Sequence, residues 1–144
     1  MEHMDTIYLL MECDAGAKMA VSSIDEVLEK IKDSKFKELL KESKSHHEKL
    51  CDEIHTLLDK HGSPEKEPSP MSKGMSWLKT NMKLSMDESD ATIADLITDG
   101  CNMGIKSLHK YENEYAQADH SAKSICKKLI SIEEQLCKEL KGYL

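Results

Sequence analysis

The chain has 144 residues, enough for one domain around one core, with a net charge of −7 and only 4% aromatic residues. All twenty basic residues are lysines. An acidic chain without arginine forks argues against a nucleic-acid partner, and the scarcity of aromatics argues against a sheet protein. No apolar run approaches the roughly 20 residues that span a bilayer, and the opening "MEHMDTIYLL" lacks the basic start of a signal peptide. The expectation is a cytoplasmic protein without a membrane partner.

In chain order, apolar residues at helical period predict a first helix over about 6–32, with Ile7, Leu10, Ala17, Val21, Ile24, Leu28 and Ile31 on one stripe. A second is predicted over 35–61, carrying Phe36, Leu40, Leu50, Ile54 and Leu57. Only Asp33 and Ser34 separate them, so they must be antiparallel neighbours. Gly62 and Pro64 stop the second helix.

Residues 62–85 form a long connection, beginning "GSPEKEPSP" and continuing as a short amphipathic helix with Met71, Met75, Leu78 and Met82 on one side. A methionine stripe is a soft-metal signal, but methionine more commonly fills apolar gaps. A link this long suits a crossover that makes the second and third helices parallel. Trp77 in it is expected to cover core or a partner surface.

The third helix is predicted over 86–118, with Ser85 as cap and Glu88 closing a capping box. Its stripe includes Ala94, Ile97, Cys101, Gly104, Leu108, Tyr111 and Tyr115. The fourth covers 121–142 through Ile125, Leu129, Ile132, Leu136 and Leu140. The whole chain, 1–144, reads as a single all-α four-helix-bundle domain.

The stretches "LLMECDAGAKMAVSSIDEVL" and "SKGMSWLKTNMKLSMDESDATIADLITDGCNMGIKSLHKYENEY" resemble a bacterial family of ferritin-like four-helix bundles. The family is sometimes linked to stress responses and has no established activity. The likeness spans almost the whole chain. It implies a ferritin-like fold, and through the wider superfamily it raises a di-iron site.

Such a site takes inward carboxylates and imidazoles from all four helices, usually two single Glu residues and two Glu-x-x-His motifs. On helical wheels only Asp14, His47 and Glu133 qualify, with Cys101 in the third helix where a carboxylate is wanted. Asp14 lies at a stripe edge, Glu12 falls opposite its stripe, and Asp52 of the near-motif Asp52-x-x-His55 points outward. No second Glu-x-x-His exists. The five cysteines all fall on or beside apolar stripes, as small hydrophobes.

Three functional readings follow. The leading one is a non-catalytic bundle without a cofactor, acting through self-association as a homo-oligomer or through another partner. The second binds iron or another transition metal at an atypical site of Asp14, His47, Cys101 and Glu133. The third, a redox or peroxide-handling enzyme, lacks a complete catalytic set. Within the leading reading, Glu133 and His47 should meet at mid-height, with Ser43 and a tyrosine hydroxyl as further donors.

Overall fold

The computed structural model describes residues 2–62 and 87–144. These form four helices and no strand: α1 (Glu2–Leu28), α2 (Ser34–Lys60), α3 (Asp90–Glu114) and α4 (His120–Leu140), closed by a 3₁₀ turn at Lys141–Tyr143. The predicted crossover helix, with Trp77 and its methionines, lies outside the described residues, as does Ser85.

Hydrogen bonds at the two ends orient the helices. Next to the α1–α2 turn, the Asp90 carboxylate at the start of α3 accepts from the backbone N–H groups of Lys32 and Asp33, both at 2.9 Å. At the other end, Thr6 Oγ1 and Asp5 of α1 accept from the backbone N–H groups of Asp119 and Gln117 in the α3–α4 turn, at 2.8 and 3.0 Å. Helix α3 therefore starts where α2 starts and runs the same way. The expected parallel pair is present, and α1 packs against all three other helices.

Caps set the helix boundaries. Asp33 begins α2 by accepting from Phe36 N at 2.8 Å, and Asp119 begins α4 by accepting from Ala122 N at 2.9 Å. For α3 the cap is Ser89 rather than Ser85. Asp87 holds it, taking the Ser89 N–H at 2.9 Å and the Thr92 hydroxyl at 2.7 Å. Helix α1 begins earlier than periodicity implied and ends at Leu28. Helix α3 stops at Glu114, because the turn beyond it is held by Asp5 and Thr6. Gly62 (φ 71°) ends α2 in the left-handed region that glycine tolerates.

The core has two apolar halves. One gathers Leu9, Leu10, Ile54, Leu58, Ile125 and Leu129 near the α3–α4 turn. The other gathers Ile24, Val27, Phe36, Leu40, Ile93 and Leu140 near the α1–α2 turn, where Phe36 stacks on Tyr143 with ring centroids 4.6 Å apart. Each fully buried Leu, Ile or Phe contributes about 1.5–3 kcal/mol. Four of the five cysteines are buried among them and Cys137 is half-buried. Between the halves lies a level of polar side chains: Ser43 and His47 of α2 and Glu133 of α4.

Candidate functional site

His47 is fully buried and Glu133 is 7% exposed. Their helices bring Nε2 of His47 to 3.2 Å from Oε2 of Glu133. The other ring nitrogen, Nδ1, stands 2.7 Å from the Ser43 carbonyl one turn earlier on α2. Both nitrogens thus face oxygen acceptors, an arrangement that a doubly protonated imidazolium satisfies completely. Burial pulls the His47 pKa down, but the Glu133 hydrogen bond and charge and the Ser43 carbonyl outweigh it, leaving the imidazole above its ordinary value.

The same Glu133 oxygen accepts from the Cys101 thiol of α3 at 3.6 Å. Contact with Cys137, burial and the Glu133 charge hold the Cys101 thiol far above its ordinary range. Three residues singled out from sequence therefore meet, as does Ser43. The tyrosine hydroxyl expected beside them does not, since Tyr111 bonds instead to Glu12, which with burial pushes its pKa up to about 12.

Glu12 was expected opposite the apolar stripe of its helix, yet it lines the α1–α3 cleft. The fourth candidate, Asp14, is buried at 3% exposure but belongs to a different cluster. Its Oδ1 meets Nε2 of His55 at 2.9 Å and its Oδ2 meets Nζ of Lys18 at 3.0 Å. No group of three or more His, Cys, Asp or Glu side chains among the described residues could hold a metal ion. The reason is geometric. His47 and Cys101 converge on one carboxylate oxygen already hydrogen-bonded to both, while Asp14 is held by Lys18 and His55. The donor set does not fit a ferritin-type centre.

Glu133 also forms part of the floor of a cleft between α1 and α3. The cleft measures about 420 Å³, within the roughly 300–1,000 Å³ range of small-molecule sites. Small residues open it: Ala15, Gly16 and Ala20 on α1, and Gly100, Gly104 and Ser107 on α3. Gly104 matters most, since a Cβ there would lie 3.2 Å from Oε1 of Glu133. Its bare backbone makes room for the carboxylate. No hydrogen bond from the described residues reaches Oε1. A larger groove of about 710 Å³ on the α2–α4 face is shallower and lined by lysines such as Lys49 and Lys127, without a buried polar group.

Sequence reasoning missed the cleft. Its only signal was the run of small residues in "DAGAKMA" and "DGCNMGIKS", which a pattern of hydrophobicity does not weigh. Among the described residues no helix is long and apolar enough to cross a membrane. No known protein family, curated protein or solved structure matches the chain.

Proposed function

We propose that the protein is a non-catalytic, ferritin-like bundle that acts by binding, and that the α1–α3 cleft takes a small apolar molecule bearing one cationic or hydrogen-bond-donating head. The observation that carries this reading is Oε1 of Glu133. It is a carboxylate oxygen on the floor of an apolar cleft, cleared by Gly104, with no donor from the described residues. A carboxylate oxygen that lines an apolar cleft gains most from a donor supplied by the ligand. The ferritin-like likeness is supported by the parallel α2 and α3 and by polar residues at mid-height. In place of metal ligands the bundle carries a hydrogen-bonded imidazole–carboxylate pair.

Calorimetric titration with octylamine and octanoate, which differ in head group alone, tests the reading. Octylamine should bind and raise the melting temperature, and octanoate should not. A Cβ at Gly100 meets no atom within 4 Å, so Gly100→Leu should fill the cleft without disturbing the fold and remove octylamine binding. Equal responses to the two heads, or binding that survives Gly100→Leu, would exclude the site.

A second reading, self-association, has its own observation. Met103 at the cleft edge is 56% exposed, and Met4 and Tyr8 on α1 are 52% and 43% exposed. Sedimentation of the wild type and of Met103→Lys tests it. A dimer that dissociates in the variant supports this reading, and a monomer in both excludes it.

A further inference from the structure

The α1–α3 cleft carries charge of one sign. Among the described residues that line it, the charged ones are Glu12 of α1 and Glu133 of α4, and none is Lys or His. The two carboxylates stand at different heights. A Cβ on Gly16 would lie 3.8 Å from Cδ2 of Leu129, which sets these residues of α1 and α4 level with each other. Both helices start at the end of the bundle that holds the α3–α4 turn, so they run the same way. Glu12 precedes Gly16 by one helical turn, and Glu133 follows Leu129 by one turn. At about 1.5 Å of rise per residue, the two turns part the carboxylates by roughly 12 Å along the bundle axis. Ala15, Gly16, Leu108 and Leu129 line the stretch between them.

We propose that the cleft takes a long-chain α,ω-diamine, with one ammonium on Oε1 of Glu133, the other on the Glu12 carboxylate and the methylene spacer along the apolar wall. This rests on the reading of the cleft as a site for a cationic head, and adds a second head position at Glu12. Two acidic residues do not make a site by themselves. Glu133 supplies the independent observation: it is 7% exposed, and its Oε1, cleared by Gly104, lines the cleft without a donor from the described residues.

Length sets the ligand. A fully extended chain advances about 1.2 Å per bond, so the nine bonds of 1,8-diaminooctane part its nitrogens by roughly 11 Å. Hydrogen bonds of about 2.8 Å at each end leave room for the sideways offset between α1 and α4. A monoamine of the same length leaves Glu12 facing an alkyl end, whereas the diamine meets both carboxylates. Each ammonium then gains a charge-assisted hydrogen bond, and the spacer stays in apolar surroundings. A general attraction of dications to a chain of charge −7 is a different effect, because any surface carboxylate contributes to it.

The test is calorimetric titration of the full chain with octylamine and with 1,8-diaminooctane. The diamine should bind about five- to tenfold tighter, a modest factor because Glu12 is half-buried and water screens part of its charge. Glu12→Gln should bring the two ligands to nearly equal affinity. Glu38→Gln removes the same charge from the exposed face of α2, where Glu38 pairs with Lys41, and should keep the full ratio. If octylamine binds and the diamine binds no tighter, the second head position is excluded while the cleft reading stands. If neither amine binds, both are excluded. A diamine preference that survives Glu12→Gln, or that Glu38→Gln lowers equally, would reduce the effect to general charge and overturn the proposal. The wild-type comparison decides the first two outcomes, so a variant that fails to fold does not leave the question open.

Discussion

Among the described residues, two of the carboxylate–imidazole contacts have a buried carboxylate. Glu133 with His47 joins α4 to α2, and Asp14 with His55 joins α1 to α2. Both carboxylates are buried, but their surroundings differ. Asp14 has a lysine as well, and the side chains of Lys18 and His55 are 15% and 29% exposed. Its partners can therefore reach water, and one of them is charged at any ordinary pH. Among the described residues, Glu133 is met by a fully buried imidazole and a thiol. One contact is a partly solvated ion pair that tolerates disturbance. The other depends on one proton, and its fully buried imidazole has no solvent to replace a lost partner.

The sharpest way to break that contrast is to remove one partner from the closed pair. Glu133→Leu should cost about 3–5 kcal/mol, because it leaves His47 buried with Nε2 facing no acceptor. Glu133→Gln should cost only about 1 kcal/mol. There a neutral His47 can donate from Nδ1 to the Ser43 carbonyl and accept at Nε2 from the new amide. Urea unfolding with unchanged slopes checks both values. Similar losses for Leu and Gln would show that shape, not hydrogen bonding, holds this level together.

At the open pair, Asp14→Asn should cost about 1–2 kcal/mol, less than Glu133→Leu, since Lys18 and His55 keep access to water. A loss as large as that of Glu133→Leu would erase the distinction.

The two pairs should also differ in pH response. The folded His47 pKa is raised, so its stabilising contribution is complete below the unfolded value of about 6.5 and is lost as pH rises through the folded value. Melting temperature should fall with rising pH from that point. Glu133→Gln should flatten the slope. An unchanged slope in this variant would place the titrating group elsewhere.

The smallest effects concern the cleft glycines. Gly100→Ala meets open space and should stabilise α3 by about 0.5–1 kcal/mol. Gly104→Ala gains the same helical preference but sets its methyl 3.2 Å from Oε1 of Glu133, so most of the gain should be lost. Equal stabilisation at both positions would mean that the carboxylate moves aside freely.

Much of the fold was legible because each helix carries a local signal: period, cap and stop. Asp33 and Gly62 act where the pattern placed the boundaries. The shift of the α3 cap from Ser85 to Ser89 was not legible, because it depends on Asp87 and Thr92 folding around that serine and on Asp90 reaching the α1–α2 turn. The inward choice of His47, Cys101 and Glu133 was legible, since each lies on the single narrow stripe of its helix. Helix α1 has no such stripe: it touches three helices, and apolar residues cover several of its sides. That is why Glu12, expected in solvent, faces the cleft, and why Asp14 was grouped with the wrong partners.

Sequence alone determined the four long amphipathic helices of the described residues, with thiols, one histidine and one glutamate turned inward, because helical period and capping are properties of neighbours along the chain. Which side chains meet was decided only by tertiary packing. The convergence of His47 and Cys101 on one oxygen of Glu133, the separation of Asp14 and the cleft beside Gly104 all depend on the height and rotation of each helix against the others. A rotation of one residue, 100° on a helix, is enough to turn a carboxylate from core to solvent. No pattern within a single helix specifies that angle.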